Sequence, residues 1–412
     1  METTKVMKMV SSSMPMVDEG GESLPAEKKG EEKRRVLLAD LQREILSRTP
    51  ASSLVRFRPA CKMWYELTYD PAFTDLHVER ARLRKISGTG TPHLLCFYQQ
   101  PMGFCRRFSI TMLNESMTPI ADITAGGIDN RCYFLWDREC SRPRAPLFKY
   151  YSMTAPCNGW VCVYDAEGDA TLMNPMTGEE LHLHPDSEPV ERYYRSHKCF
   201  LGYHPVTKEY KVLRFLVSGK GSTAEAFYEA VTLGTGIGIL RRTWIYDGEK
   251  NFTSCDGDGI SVNGVVYILN ETDRKMGLFD LKDEKFSPAI PFHDSISVDQ
   301  GQQPKLVEVE GNICLVSIPR DVLDIWMLKD AAGRASWIHR CRVTLHRQLI
   351  HSQITPVLIH QGELLVEWKS NLYYLDLSSD KGSTRKVTNH EPLLPRRFFH
   401  AYEGSLVSLI QR

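Results

Sequence analysis

The chain has 412 residues, carries 51 basic and 51 acidic side chains for a formal net charge of zero, and is 42% apolar. That length and composition are enough for more than one domain and a large core. The balanced charge excludes a whole-molecule field that would gather nucleic acid or an anionic membrane, so recognition must be local.

No run of ~18 apolar residues spans a bilayer, and no continuous apolar stretch follows the early lysines as a secretory signal requires. A soluble protein of the cytoplasm, the nucleus or both is expected. The eleven cysteines stand singly, many within apolar runs such as Leu95-Cys96-Phe97, and no Cys-x-x-Cys pair occurs. Reduced, core-filling thiols are therefore expected, with no zinc ribbon or redox motif. The sequons at Asn114, Asn251 and Asn270 are chance occurrences in such a compartment.

Residues 1–35 are rich in Glu, Lys, Ser and Gly and poor in aromatic and branched apolar residues. Such a segment cannot offset the entropy of ordering, and it is expected to be a disordered tail. Its cluster Lys28, Lys29, Lys33, Arg34 and Arg35 is either a nuclear import signal or a solvated flank.

From Leu37 to His77 the pattern turns helical. Leu37, Leu38, Leu41, Ile45 and Leu46 recur at steps of three and four, the spacing of a packed stripe. Ser52 or Ser53 can cap a second helix carrying Leu54, Val55 and Phe57. Pro59 should take Arg58 out of helical geometry and open a third helix carrying Cys61, Met63, Trp64 and Leu67. Three helices in about 40 residues cannot stand alone, so this segment reads as half of an interface. Two bland alternatives are a helical cap on a larger domain and a helix-turn-helix reading DNA through Arg56, Arg58 and Lys62.

The run Asp40-Leu41, Glu44-Ile45-Leu46, Pro50, Ser53-Leu54, Arg56-Phe57-Arg58, Cys61-Lys62-Met63-Trp64 and Asp70-Pro71-Ala72-Phe73 resembles the F-box. That module docks substrate receptors onto the SKP-type adaptor of cullin-RING (SCF-type) ubiquitin ligases. The resemblance implies an adaptor-binding set of Leu37, Leu41, Ile45, Leu46, Pro50, Leu54, Phe57, Cys61 and Trp64. It departs from the family pattern at Leu38, Thr49 and Pro59, departures that imply weakened docking.

From about Thr91 to the end the periodicity alternates, as in strands. Apolar strands joined through a glycine turn recur at Gly159, Gly264, Gly311, Gly362 and Gly404. These turns are spaced about 50 residues apart, with one gap of about twice that. Phe279-Asp280-Leu281, Met327-Leu328-Lys329 and Leu375-Asp376-Leu377 repeat at a similar interval. A unit of this length with four short strands is the pattern of a propeller blade. The double gap holds a further unit built on Phe200–Pro205, Tyr210–Leu213 and Thr243–Tyr246. The expected fold is multidomain, a three-helix segment over 36–80 and an all-β propeller of about six blades over 91–412. Strands around Gly404 should close the ring against Leu94–Phe97 and Phe108–Met112.

Asn158-Gly159-Trp160-Val161, Met173-Asn174-Pro175-Met176-Thr177-Gly178 and Leu201-Gly202-Tyr203-His204-Pro205 are similar to phrases of the F-box-associated domain of plant F-box proteins. The resemblance implies a kelch-like propeller that holds a protein destined for ubiquitin transfer. Turn chemistry alone would also produce such phrases.

The expected role is thus a non-catalytic substrate receptor without cofactor or metal. The alternative is a stand-alone propeller enzyme or lectin with a helical cap. Catalytic motifs are incomplete: Gly234–Gly238 lacks Rossmann spacing, Gly219–Ser222 lacks a full phosphate loop, and Asp256–Gly259 lacks the rest of a calcium loop. His182, His184, His197 and His204 read as hairpin histidines. Ser218–Leu240 reads as a long flexible insertion whose aromatics, Phe227 and Tyr228, are expected to anchor the target.

Overall fold

The computed structural model describes residues 39–90, 93–102, 105–114, 118–124, 151–165, 169–183, 194–218, 225–235, 237–246, 257–297, 304–331, 334–346, 353–369, 371–378, 382–387 and 397–410. Contacts divide the chain into two compact units, Met1–Leu46 and Ser47–Arg412. The tail at 1–35, Leu37 and Leu38 lie outside the described residues.

Residues 39–48 form the first helix, α1. In the second unit α2 spans Ala51–Phe57 and begins directly after Pro50, whose carbonyl accepts from the backbone N–H groups of Ser53 and Leu54. Neither Ser52 nor Ser53 caps it, since both already lie inside the helix. Arg58 keeps helical angles (φ −46°, ψ −44°) despite the following proline. The chain tightens into a 3-10 turn over Arg58–Ala60 and only then restarts as α3, Lys62–Leu67. The guanidinium of Arg58 folds back over the Tyr69 ring at 4.4 Å, and its Nε donates to Thr68 Oγ1 at 3.1 Å. These two contacts hold the turn where the proline's steric preference alone would extend it.

A fourth helix, α4, runs Pro71–Ile86. The expectation of three helices did not include it. Asp70 caps it by accepting from Ala72 N–H, and Pro71 fits the first turn because no amide is needed there. Phe73, Thr74, His77 and Ala81 are its buried face. The expected boundary near residue 80 therefore falls inside a continuous helix.

The rest is all β. The strands are β1 His93–Met102, β2 Cys105–Leu113, β3 Pro119–Thr124, β4 Tyr151–Met153, β5 Val161–Asp165, β6 Ala170–Asn174, β7 Glu179–Leu183, β8 Tyr194–His204, β9 Glu209–Ser218, β10 Glu225–Gly234, β11 Gly238–Tyr246 and β12 Gly259–Val262. They continue with β13 Val265–Asn270, β14 Lys275–Asp280, β15 Lys285–Pro291, β16 Lys305–Val309, β17 Asn312–Ser317, β18 Val322–Ala331, β19 Arg334–Thr344, β20 Ile354–His360, β21 Glu363–Trp368, β22 Asn371–Asp376, β23 Thr384–Lys386 and β24 Arg397–Tyr402.

Among the described residues these make six antiparallel four-stranded sheets, five in plain chain order from β4 to β23. The sixth is β24-β1-β2-β3, in which the last strand pairs with the first, from His93↔Tyr402 to Tyr98↔Arg397. The fold is a six-bladed β-propeller closed by its two chain ends. Closure uses β24 against β1 only. The segment after Gly404, expected as strand, instead runs irregularly along the first blade.

Packing follows from the sheets being buried on both faces. Along β5 (VCVYD) and β6 (ATLMN) every residue is buried, so apolar side chains stand at consecutive positions and the polar ones, Asp165, Thr171 and Asn174, are hydrogen-bonded. Alternation sends neighbouring residues to opposite seams. Cys199 and Leu201 pack with Trp160, Cys162 and Leu172 of the first blade, while Phe200, Leu213 and Phe215 pack with Val266, Phe279 and Leu281 of the third.

The stretch Ser218–Leu240 is not a loop insertion. It contains β10 and the start of β11, and only residues 219–224 and 236 fall outside the described residues. Tyr228 lies fully buried at 0% exposure, 4.9 Å from the Phe215 ring and 4.4 Å from Phe286. It is a core residue of the seam between the second and third blades and is not a surface anchor. Phe227 lies in β10, opposite Leu216 and Tyr246.

Candidate functional site

In the first unit, Leu41 and Ile45 stand one helical turn apart on α1 and are 52% and 64% exposed. Leu46, from the same expected set, is buried.

In the second unit the expected docking residues separate into two groups. Leu54 is 1% exposed and serves as core. Phe57, Pro50 and Cys61 are exposed, and Trp64 is half-buried with its ring 5.8 Å from that of Phe57. Met63 and Tyr65 extend the apolar surface beside them. Cys61 has a local task as well: it sits at the N-cap of α3 and its Sγ accepts from Trp64 N–H at 3.5 Å. Large apolar side chains left in water at this density mark a surface built to be covered. The DNA-reading alternative loses Arg58 to Tyr69 and Lys62 to an ion pair with Glu66 at 3.6 Å.

The helix α4 joins this surface to the propeller. On its inner side His77 donates from Nε2 to the Thr49 carbonyl at 2.9 Å, and burial lowers its pKa against the opposing effect of that bond. On its other side α4 lies across the turns that link the first two strands of the blades. Asp75 pairs with Lys208 in the second blade, Lys85 with Glu308 in the fourth, and Arg84 with Glu403 at 4.0 Å in the closing blade. Ile86 rests on the Gly311 turn, where a Cβ would stand 3.2 Å from Ile86 Cγ1.

The turns themselves are tight two-residue hairpins. Asn263-Gly264, Glu310-Gly311 and Gln361-Gly362 all have φ between 49° and 84°, the left-handed pair that matches strand twist. They bring the side chains of six blades to one mouth. Between that mouth and α4 lies a cavity of about 920 Å³ lined by residues such as Glu79, Tyr203, Glu310, His360 and Glu403. Burial pushes the Glu403 carboxyl up to about 7, with the Lys85 and Arg84 charges opposing. Desolvation also raises Tyr203 to about 12, aided by Asp75 and Cys157.

Nothing in this set is poised as a nucleophile. Burial pushes the Cys157 thiol up to about 12 and Cys314 to about 11, which keeps them protonated. His182 Nδ1 is engaged with Thr171 Oγ1 at 3.0 Å, and His204 Nδ1 accepts from Thr207 N–H at 3.1 Å, so these histidines serve hairpins. Among the described residues no three His, Cys, Asp or Glu side chains group as metal ligands, and no helix is long and apolar enough to cross a membrane.

Sequence reasoning missed the residues that dock α4. The signal was present in Asp70-Pro71 as a helix start and in Arg84-Lys85 as a basic last turn. Their partners, Lys208, Glu308 and Glu403, are separated from them by 133 residues or more and carry no local mark.

A family model described as the F-box associated beta propeller domain matches residues 132–392. Three Arabidopsis thaliana proteins are similar over long stretches. F-box protein At1g47340 is 26% identical over 311 residues, covering 70% of this chain and 60% of that protein. Putative F-box protein At5g52610 is 27% identical over 318 residues, covering 75% and 78%. F-box protein At3g49450 is 29% identical over 274 residues, covering 63% and 61%. The chain thus spans about three fifths of the length of the first and third of these relatives.

Proposed function

The chain belongs to the F-box-associated β-propeller family, and from that premise we propose that it is the substrate-recognition subunit of an SCF-type ubiquitin ligase. In this reading the helices preceding the propeller bind the SKP-type adaptor, and the propeller holds a protein target. The observation that carries it is that each unit leaves apolar side chains exposed on its helices, Leu41 and Ile45 in the first and, separately, Phe57, Met63 and Tyr65 in the second. Binding energy concentrates in a few such anchors. Leu46 and Leu54 support the helices from within, and Pro50 and Cys61 shape the turns between them.

The charge pairs of α4 support a division of labour between the two ends of the propeller. Turns between first and second strands face α4. A target held at the other end of the sheets would meet no described helix. The role is that of a scaffold without chemistry of its own, exercised in the cytoplasm, the nucleus or both.

Co-expression tests the proposal. The full chain should co-purify with the adaptor, and the pair Leu41→Ala with Ile45→Ala should abolish co-purification while the thermal transition of the propeller is retained. Undiminished capture by the double variant would overturn it.

A further inference from the structure

Every blade ends in an outer strand with one unpaired backbone edge among the described residues: β3, β7, β11, β15, β19 and β23. Such edges pair readily with foreign strands, and proteins guard them with short length, proline, bulges or charge. Four are short or carry proline. β23 has 3 residues, β7 has 5 with Glu179 and Glu180, β15 carries Pro288 and Pro291, and β3 carries Pro119.

Two longer edges remain, both basic and each with one register shift against its neighbour, and they differ in how far their charge is engaged within the chain. On β11 the guanidinium groups of Arg241 and Arg242 are drawn onto the chain's own Glu284 and Glu229. β19 is the longest outer strand at 11 residues, with three arginines, a histidine, no acidic residue and no proline. Arg340 is exposed and makes no ion pair with any described residue. Arg342, 60% exposed, is pinned through Nε and Nη2 to the buried Asp324 at 2.8 and 3.0 Å. His339 donates from Nε2 to the same Asp324 Oδ1 at 2.8 Å and stands edge-on to Trp326 at 4.8 Å. A side chain so held loses little freedom on binding. Ile338, just before them in the strand, is also exposed.

We propose that β19 is a docking strand for an extended, acidic segment of the target, which adds to the fourth blade as a fifth strand. Backbone pairing along the edge supplies affinity, and side chains of the added strand stand about 4.5–5.5 Å from their neighbours on β19, within reach of Arg340, whose charge no described carboxylate engages. The positive edge with no acidic residue selects against basic segments. This deepens the substrate-receptor reading by naming the chemical class of its target.

The test uses the full chain co-expressed with the adaptor. The probe is a labelled peptide of about ten residues alternating Glu and Val, alongside a peptide with a central proline and one with Lys for Glu. The Glu/Val peptide should bind and slow amide exchange in residues 334–344. Binding should fall about tenfold with Arg340→Glu, less with Arg340→Ala, and about tenfold with the proline peptide. The Lys peptide should not bind. Equal binding of the proline peptide would reduce the edge to diffuse electrostatics and overturn the proposal, as would protection on β11 or no binding at all. Adaptor capture is followed in parallel. Its failure in the unaltered chain counts against the receptor reading, whereas its retention with peptide binding weakened in that graded order in the two Arg340 variants is the result the docking strand requires.

Discussion

Trp160 donates its indole Nε1 to the Val407 carbonyl at 3.0 Å, a buried bond between residues 247 positions apart. Asn174 Nδ2 donates to Ser405 and Val407 carbonyls at 3.0 and 3.3 Å, and Tyr402 Oη donates to Gly159 O at 3.2 Å. Gly159 must be glycine here, because a Cβ would stand 2.7 Å from the Ser405 nitrogen. The tail beyond β24 therefore latches the first blade as firmly as β24 closes the last.

Removal of residues 405–412 should lower stability by several kcal/mol. It leaves the buried Trp160 N–H and Asn174 amide unpaired, at about 1–3 kcal/mol each, and exposes the seam that Val407 and Leu409 fill. Trp160→Phe should cost about 1–3 kcal/mol for the lost donor and more for the space its smaller ring leaves in this buried site. Urea denaturation followed by far-UV circular dichroism measures both. An unchanged midpoint after truncation would show the tail to be ornamental.

Docking and folding should separate by burial. Leu54→Ala empties a 1%-exposed site and should cost about 2–5 kcal/mol. Phe57→Ala removes a surface ring and should leave the thermal midpoint within about 2 °C while weakening adaptor capture. Calorimetry beside quantitative pull-down distinguishes them, and a large midpoint loss from Phe57→Ala would place that ring in the core of the helices.

The α4 charge pairs make a reciprocal prediction. Lys85→Glu places like charges beside Glu308, whose side chain is only 19% exposed. A loss of about 1 kcal/mol is expected, restored by Glu308→Lys in the same chain. Failure of the double reversal to recover would mean that the pair is incidental to seating the helix.

Two groups give opposite pH signatures. Burial lowers His400 from 6.5 to about 4, so the unfolded chain binds its proton first on acidification. Stability should fall as pH drops from about 6.5 toward about 4, and His400→Gln should flatten that limb. Glu403 is raised from 4.5 to about 7, so the folded state holds its proton more tightly and stability should decline as pH rises across that window. With its side chain 35% exposed, solvent screening limits the effect to about 1 kcal/mol, and Glu403→Gln should remove it. Melting curves from pH 4 to pH 8 test both, and parallel curves for the variants and the unaltered chain would contradict these assignments.

Tyr228→Ala should unfold the second blade's seam, at about 3–5 kcal/mol, because its ring packs on Phe215 and Phe286. Deleting residues 219–224, which join β9 to β10, should be far milder. Limited proteolysis compares the two, and a benign Tyr228→Ala would contradict the burial.

The sequence by itself determined most of the elements and their order. Helical spacing around Leu41 and Ile45 and glycine turns at about 50-residue intervals are local signals, set by the 3.6- and 2-residue periods and by turn geometry. From these the first three helices, the propeller and its approximate six units could be counted, while α4 and β10 could not. What only the tertiary structure decided depends on partners remote in sequence. Tyr228 read as a loop aromatic because Ser218–Leu240 is rich in small residues, yet Phe215 and Phe286 across the seam make it core. Arg58 kept helical angles before a proline because Tyr69 and Thr68 hold it. The roles of Leu46 and Leu54 as buried supports, of α4 as a strap and of Arg340 as an exposed cation were equally hidden. Periodicity states which side of an element is apolar, and only packing states what, if anything, covers it.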